Sequence, residues 1–265
     1  MLERPHTVLA GGTDFYPARV GRAIGEDVLD IGGIDVLRGI SADAGGWRLG
    51  ATTTWTDLLR AELPPLFDGL KQAAREVGGR QIQNAGTLGG NLCNASPAAD
   101  GVPGLLALDA GVELASTAGR RRLPLEAFIT GNRRTALAPG ELLVAVHIPR
   151  LAHDARSNFL KLGARRYLVI SIAMAAATVE ISDDEGVRRI LAARVAVGSC
   201  SAVAQRLPAL EAALAGATLD GTLAERIDPA HLAPLAPIDD VRGSAAYRRD
   251  AVLTLLRRLL LGFVP

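Results

Sequence analysis

Aromatic side chains are scarce in this chain, at 4% of 265 residues with Trp47 and Trp55 the only tryptophans, which argues against a base-stacking platform for nucleic acid. An excess of charge of either sign is missing as well. With 29 basic and 28 acidic residues the formal net charge is +1, which suggests neither a nucleic-acid partner nor an anionic membrane surface. Cysteine is almost absent. Cys93 and Cys200 lie far apart and form no CxxC pair, so the chain by itself can ligate neither an iron–sulfur cluster nor a structural zinc through thiolates. His6, His147, His153 and His231 are scattered without HExxH-type spacing, and no metal site is indicated. No apolar run reaches the length of a membrane span; the longest, residues 168–179, is short and rich in alanine. The first six residues show no charged region followed by an apolar stretch, so no signal peptide is expected and a cytoplasmic location is the default reading.

What is present is a 49% apolar chain, long enough to bury a sizeable core and to form two modest domains. Glycine, at 29 residues, exceeds its average usage of roughly 7% and fits a loop-rich α/β or α+β protein. Two glycine pairs carry most of the information: Ala10-Gly11-Gly12-Thr13-Asp14 and Thr87-Leu88-Gly89-Gly90-Asn91. A Gly-Gly pair lets the backbone take positive φ and approach a ligand with no Cβ in the way. Successive free N–H groups in such a turn form a concave anion site suited to a pyrophosphate. Each pair alone is equally an ordinary turn. Two of the same build, on segments able to converge, point to a dinucleotide held between them.

Residues 7–10, 28–31 and 47–51 read as short strands, and Thr56 is the expected N-cap of a helix at 56–60. Residues 66–77 read as a helix ending at Gly78-Gly79, the second glycine segment as a loop, and 102–108 as a short apolar helix. Residues 112–115 and 143–148 read as strands. After Pro149 the polar stretch 153–158 marks a composition shift, taken as the boundary between domains at 1–152 (halves about 1–55 and 56–152) and 153–265. Beyond it, 159–162, 170–181 and 190–197 read as strands, and 208–215, 223–227 and 245–261 as helices. The last carries Val252, Leu253, Leu256, Leu259 and Leu260 as a core stripe.

The two glycine motifs occur in order with Gly50-Ala51-Thr52-Thr53, Asn94-Ala95-Ser96-Pro97-Ala98-Ala99-Asp100, Gly140-Glu141-Leu142-Leu143, Ile148-Pro149 and Lys161-Leu162-Gly163-Ala164-Arg165-Arg166. With this set the chain resembles the FAD-binding (medium) subunit of the molybdenum hydroxylases, a group that includes xanthine dehydrogenase and aerobic carbon monoxide dehydrogenase. The resemblance covers nearly the whole chain. It implies an α+β fold: a two-half FAD-binding domain, then a C-terminal domain with a three-stranded antiparallel sheet and helices. It also implies a small [2Fe-2S] subunit and a large molybdopterin subunit as partners, in a dimer of heterotrimers. Electrons would pass from the clusters to FAD and on to NAD or another acceptor.

By the same resemblance, Leu9, Ala10, Gly11, Gly12, Thr13 and Asp14 wrap the flavin end and pyrophosphate, and Thr87, Gly89, Gly90 and Asn91 close over the pyrophosphate. Asp100 takes ribose hydroxyls, with Asn94 in the same network; equally, Asp100 is a helix N-cap. Leu143 packs near the adenine or is simply a core strand residue. Lys161, one of only two lysines, stands near the flavin ring or is a solvated strand residue. The chain departs from its better-known relatives in lacking an aromatic in residues 75–79 to flank the flavin, and in lacking the cysteine-bearing insertion that carries a [4Fe-4S] cluster. Cys93 is expected to be inert packing. No catalytic side chain is expected, because the cofactor supplies the chemistry. Two other readings stay open: a stand-alone FAD-dependent oxidoreductase of this fold, and a non-catalytic assembly subunit. A Rossmann NAD enzyme is disfavoured, since no strand–GxGxxG–helix unit is present.

Overall fold

The computed structural model describes residues 6–264; the segment 1–5, read above for a leader, lies outside them. In chain order the first part contains β1 (His6–Leu9), β2 (Asp27–Asp30), β3 (Ile40–Asp43), β4 (Gly46–Gly50), α1 (Trp55–Arg60), α2 (Asp68–Glu76), α3 (Arg80–Ala85), α4 (Leu88–Asn94) and α5 (Gly101–Ala107). Then come β5 (Gly111–Ser116), β6 (Gly119–Pro124), α6 (Leu125–Phe128), β7 (Ile129–Gly131), β8 (Arg134–Thr135) and β9 (Leu142–Pro149). The remainder is β10 (Asp154–Leu162), β11 (Ala173–Asp184), β12 (Val187–Gly198), β13 (Gln205–Arg206), α7 (Pro208–Leu214) and α8 (Ala245–Leu261).

Strands β1 and β2 pair in parallel as a small unit of their own, while a five-stranded antiparallel sheet runs β3-β4-β9-β5-β6. The expected division near residue 55 therefore does not coincide with a sheet boundary. β3 and β4 precede it, yet β4 pairs with β9, a hundred residues on, with Trp47 opposite Ile148 and Leu49 opposite Val146. One face of this sheet packs on helices α1, α2, α4 and α5 through Leu49, Val112, Leu114, Val146 and Ile148 against Trp55, Leu58, Leu70, Leu92 and Leu105. The β1–β2 unit sits on the sheet through Ile31 and Leu37 against Val144.

Two helix starts differ from the sequence reading. Thr54, not Thr56, caps α1. Its hydroxyl accepts from the Asp57 N–H (3.1 Å) while the Asp57 carboxylate accepts from the Thr54 N–H (3.0 Å), a reciprocal capping box. The second glycine segment is not a loop but the first turn of α4, capped by the Thr87 hydroxyl, which accepts from Gly90 N–H at 3.0 Å.

The second core is a sheet in the order β10-β11-β12-β13, three long antiparallel strands with a two-residue fourth at the edge, one more than expected. The first eight residues of β11 are all buried, because both faces of the strand are covered. Ala173, Ala175, Ala177 and Val179 face α7 and α8, whose Leu210, Leu214, Val252, Leu256 and Leu259 fill that side. Met174 and Ala176 face the opposite way, against Phe159, Ala73 of α2 and Ala107 of α5. The alanines keep the strand thin enough for two layers to close on it. Among the described residues no helix is long and apolar enough to cross a membrane.

Candidate functional site

A cleft of about 570 Å³ opens where the loop after β1 meets the first turn of α4. Leu9, Ala10, Gly11, Gly12, Thr13, Asp14, Thr87, Gly89, Gly90, Asn91, Asn94 and Leu143 all line it; Asp100 and Lys161 do not. Residues as far apart in sequence as Leu9 and Leu143 are thus brought to one concavity. The floor and walls also include Trp55, Val77, Ile82 and Phe15.

Glycine at position 11 is what lets the two segments meet. A Cβ there would run into the carbonyl oxygen of Ala85, in the stretch leading to Thr87. Gly12 follows in the left-handed region, at φ +68°. The carbonyls of this loop are used, with Gly12 O accepting from Tyr16 N–H (3.1 Å) and Asp14 O from Ala18 N–H (3.2 Å). The N–H groups of Gly11, Gly12, Thr13 and Asp14, by contrast, have no acceptor among the described residues. A run of four spare donors beside a left-handed residue is an anion nest.

The other side is built differently from the expectation. Leu88 N–H donates to Thr53 O (2.9 Å), Gly89 N–H to Ala51 O (2.8 Å), Gly90 N–H to the Thr87 hydroxyl (3.0 Å) and Asn91 N–H to Thr87 O (3.0 Å). All four amides are spent inside the protein, so this segment does not mirror the first. A Cβ on Gly89 would stand 2.8 Å from both the Cβ and the carbonyl oxygen of Ala51, so this glycine serves close packing of α4 against the end of β4. Asn91 lines this wall as well, and its Oδ1 is buried without a partner on the side of Gly101.

Asp100 and Lys161 are engaged with each other behind the cleft. Lys161 Nζ donates to Asp100 Oδ2 at 2.7 Å and to Glu76 O at 3.3 Å, and the Ser171 hydroxyl donates to Asp100 Oδ1 at 2.5 Å. The Lys161 side chain is 5% exposed, so it is not a solvated strand lysine, and the Asp100 side chain makes no capping bond to α5. Burial pushes the Asp100 carboxyl up, and the Lys161 ammonium works against that rise. The pair lies one layer back: the next residue, Gly101, has no Cβ because the Trp55 ring of the cleft fills that space.

Several lining groups carry no signal in the sequence. Arg133, at the β7–β8 turn, pairs with Asp14 Oδ2 (3.0 Å) and Asn94 Oδ1 (2.6 Å). Arg19 stacks its guanidinium 3.8 Å from the Phe15 ring centre and pairs with Glu26. The aromatics of the cleft are therefore Phe15 and Trp55, while Val77 stands in the segment where an aromatic was found lacking. Glu141 at the rim is held down to about 2 by hydrogen bonds from Arg121 and the Ala138 N–H. Cys93 borders the open side of the cleft, where water reaches it, yet the protein packed around its sulfur pushes the thiol up to about 12 and keeps it protonated. Among the described residues no cluster of three or more His, Cys, Asp or Glu is placed to hold a metal ion.

The sequence and fold are similar to those of known proteins. Residues 3–151 match the model of the FAD binding domain in molybdopterin dehydrogenase, and residues 158–263 match that of the CO dehydrogenase flavoprotein C-terminal domain. The chain is 32% identical to the nicotinate dehydrogenase FAD-subunit of Eubacterium barkeri and 30% identical to the xanthine dehydrogenase FAD-binding subunit of Escherichia coli O157:H7, each over 96% of this chain and 87% of the relative. Its fold superposes on CO dehydrogenase from Oligotropha carboxidovorans with a TM-score of 0.86 and 27% identity, covering 96% of this chain and 88% of that one. Quinoline 2-oxidoreductase from Pseudomonas putida 86 gives 0.85 and 27%, over 98% and 89%. With both of its parts matched in order, and a nest of spare amides at the first glycine motif, this chain belongs to the FAD-binding subunit family of the molybdenum hydroxylases.

Proposed function

We propose that this chain is the flavin-carrying electron-transfer subunit of a molybdenum hydroxylase complex. It takes electrons from [2Fe-2S] clusters in a small partner subunit, which a large molybdopterin subunit reduces, and hands them to NAD or another acceptor. The observation that carries this reading is the row of unpartnered N–H groups at Gly11, Gly12, Thr13 and Asp14, residues that line the cleft. A diphosphate supplies the acceptors that those donors lack, with no lysine required.

Bound there, FAD would exchange single electrons with a cluster and electron pairs with an acceptor. The chain's own residues bind and orient. Leu9, Ala10 and residues 11–14 cradle the phosphates; Thr87, Gly89, Gly90, Asn91 and Asn94 form the facing wall; Leu143 offers an apolar contact to a ring. Asp100 and Lys161 act from behind that wall, holding the start of α5 in place. The division at residues 1–152 and 153–265 then separates a flavin-holding part from a supporting one.

Among the described residues of the cleft, the carboxylates and the thiol are each held out of acid, base or nucleophile chemistry on an organic substrate. Asp14 is paired with Arg133, Glu141 is held ionised by Arg121, and the Cys93 thiol is held neutral. That favours the subunit reading. Relatives named as a nicotine 6-hydroxylase medium subunit and a carbon monoxide dehydrogenase medium chain support the presence of partner subunits; the assembly we propose is a dimer of heterotrimers. Two free thiols suit a reducing cytoplasm.

The test is to purify the chain alone and together with the products of neighbouring genes, then record the absorption spectrum and identify released flavin. About one FAD per chain, with iron and molybdenum present only alongside partners, is the expected result. A folded but colourless chain that takes up no added FAD overturns the proposal.

A further inference from the structure

We propose that Arg133 is a latch across the open edge of the cleft, tying its two walls together and setting how fast the cofactor leaves; this rests on the FAD reading above. The tip of the β7–β8 hairpin holds Arg133 in the left-handed region at φ +54°, an unfavourable conformation for a side chain of this size. Its N–H donates to the carbonyl of Ala95 (2.9 Å), itself left-handed at φ +46° as the last turn of α4 ends. Two such residues meeting back to back is a feature the surrounding structure must hold in place, and strain of this kind gathers at functional sites.

From that anchor the guanidinium reaches both walls. Nη1 lies 2.6 Å from Asn94 Oδ1 on α4 and 3.0 Å from Asp14 Oδ2 at the end of the amide nest, 119 residues earlier in the chain. One terminal guanidinium nitrogen carries two hydrogens, so it satisfies both acceptors at once. The hairpin itself is docked by the backbone bond to Ala95, which needs no side chain at position 133. The side chain's contacts thus lie between the walls of the cleft, and Asp14 is fixed beside the donors that would meet the phosphates. Arg133 is a positioning residue: it orients Asp14 and Asn94. Both partners of the ion pair stay more than half exposed (60% and 56%), so its strength is modest and salt-sensitive.

The experiment follows FAD release from the full-length loaded chain, read as the rise of free-flavin fluorescence after dilution into flavin-free buffer, far below the loading concentration. It compares wild type, Arg133→Ala, Asp14→Asn and the double variant. At low salt each single variant is expected to release FAD about fivefold faster, the top of the range for an exposed pair. The double variant should be no faster than Arg133→Ala alone, because that change already removes the contact to Asp14. The difference should close by about 0.5 M salt. Asp14→Asn keeps the test independent of the hairpin, which it does not touch. Release rates within twofold of wild type in both single variants, or effects that multiply in the double, overturn the latch. A wild-type chain that holds no FAD fails the parent reading instead, and is recognised because no variant is needed to see it.

Discussion

Gly89 shows how a residue can border a ligand site for reasons that have nothing to do with the ligand. Its N–H bonds the Ala51 carbonyl at 2.8 Å, and any Cβ would stand equally close to that same oxygen and to the Ala51 Cβ. A valine there must lift the first turn of α4 off the end of β4 and break that bond. Gly89→Val is therefore expected to destabilise the cofactor-free chain by about 3 kcal/mol, the cost of overpacking at a backbone contact. Thermal melts of apo-protein decide the point. A loss of flavin with an unchanged apo melting temperature would mean that the glycine exists for close approach of the pyrophosphate after all. At this scale, what is legible in the sequence is local. The glycine motifs, Asn94 and Leu143 reach the cleft because each belongs to a short element that borders it: the loop after β1, helix α4 or strand β9. Asp100 and Lys161 do not line it, because a buried ammonium and a buried carboxylate 61 residues apart satisfy each other first. Arg133 carries no local signature at all; its partner Asp14 becomes visible only when the chain has folded.

Elements follow the same logic one step up. The glycine pair in α4 reads as a loop because glycine is a poor helix former. What overrides that preference is tertiary: a capping threonine at position 87 and a backbone close against Ala51, both in place only when β4 is. The start of α1 was open to reading, since Thr54 and Asp57 stand three apart as a capping box demands. The five-stranded sheet carries a cluster that no single strand discloses. Glu113 on β5, with a side chain only 6% exposed, accepts from Arg120 (2.6 Å) and Arg122 (3.2 Å) of β6 and bonds His147 of β9 (2.6 Å). Burial raises its carboxyl, but the hydrogen bonds from Arg120 and His147 and the charge of Arg122 outweigh that and hold it down to about 2, against an ordinary 4.5. A carboxylate held lower when folded contributes stability that is complete above pH 4.5 and fades as the pH falls toward 2. With both arginines about two-thirds exposed, solvent screening reduces the contribution to about 2 kcal/mol. Glu113→Gln is thus expected to cost that much in urea unfolding at neutral pH and only about a quarter of it near pH 2.5. An equal cost at both pH values would assign the residue a packing role and no electrostatic one.

On the scale of the whole molecule, two hydrophobic cores share their walls. α2 rides directly on β10, where a Cβ on Gly69 would sit 2.9 Å from the Asn158 backbone. Ser157 donates to Leu66 O (2.6 Å) and accepts from Gly69 N–H (2.8 Å), and Gln72 accepts from Phe159 N–H (2.7 Å). α5, buried along its whole length, is bracketed by carboxylates that reach across to the second core: Asp100 to Lys161 and Ser171 before it, Asp109 to Arg194 and Arg206 after it. The second core thus supports the back wall of the cleft rather than standing apart from it. Losing either core would strip Ala73, Ala107, Phe159 and Met174 of their shared contacts. Unfolding the C-terminal part alone would also leave the buried Asp100 carboxylate in the first part without its cation. Independent melting is therefore costly, and calorimetry is expected to give one cooperative transition for the chain despite its two matched parts. FAD, held at the first part only, should move that whole transition upward, by about 2.7 kcal/mol at a hundredfold excess over its dissociation constant. Two resolved transitions, of which flavin shifts the first and leaves the second in place, would show that α2 and α5 do not couple the cores and that the cleft needs no support from behind.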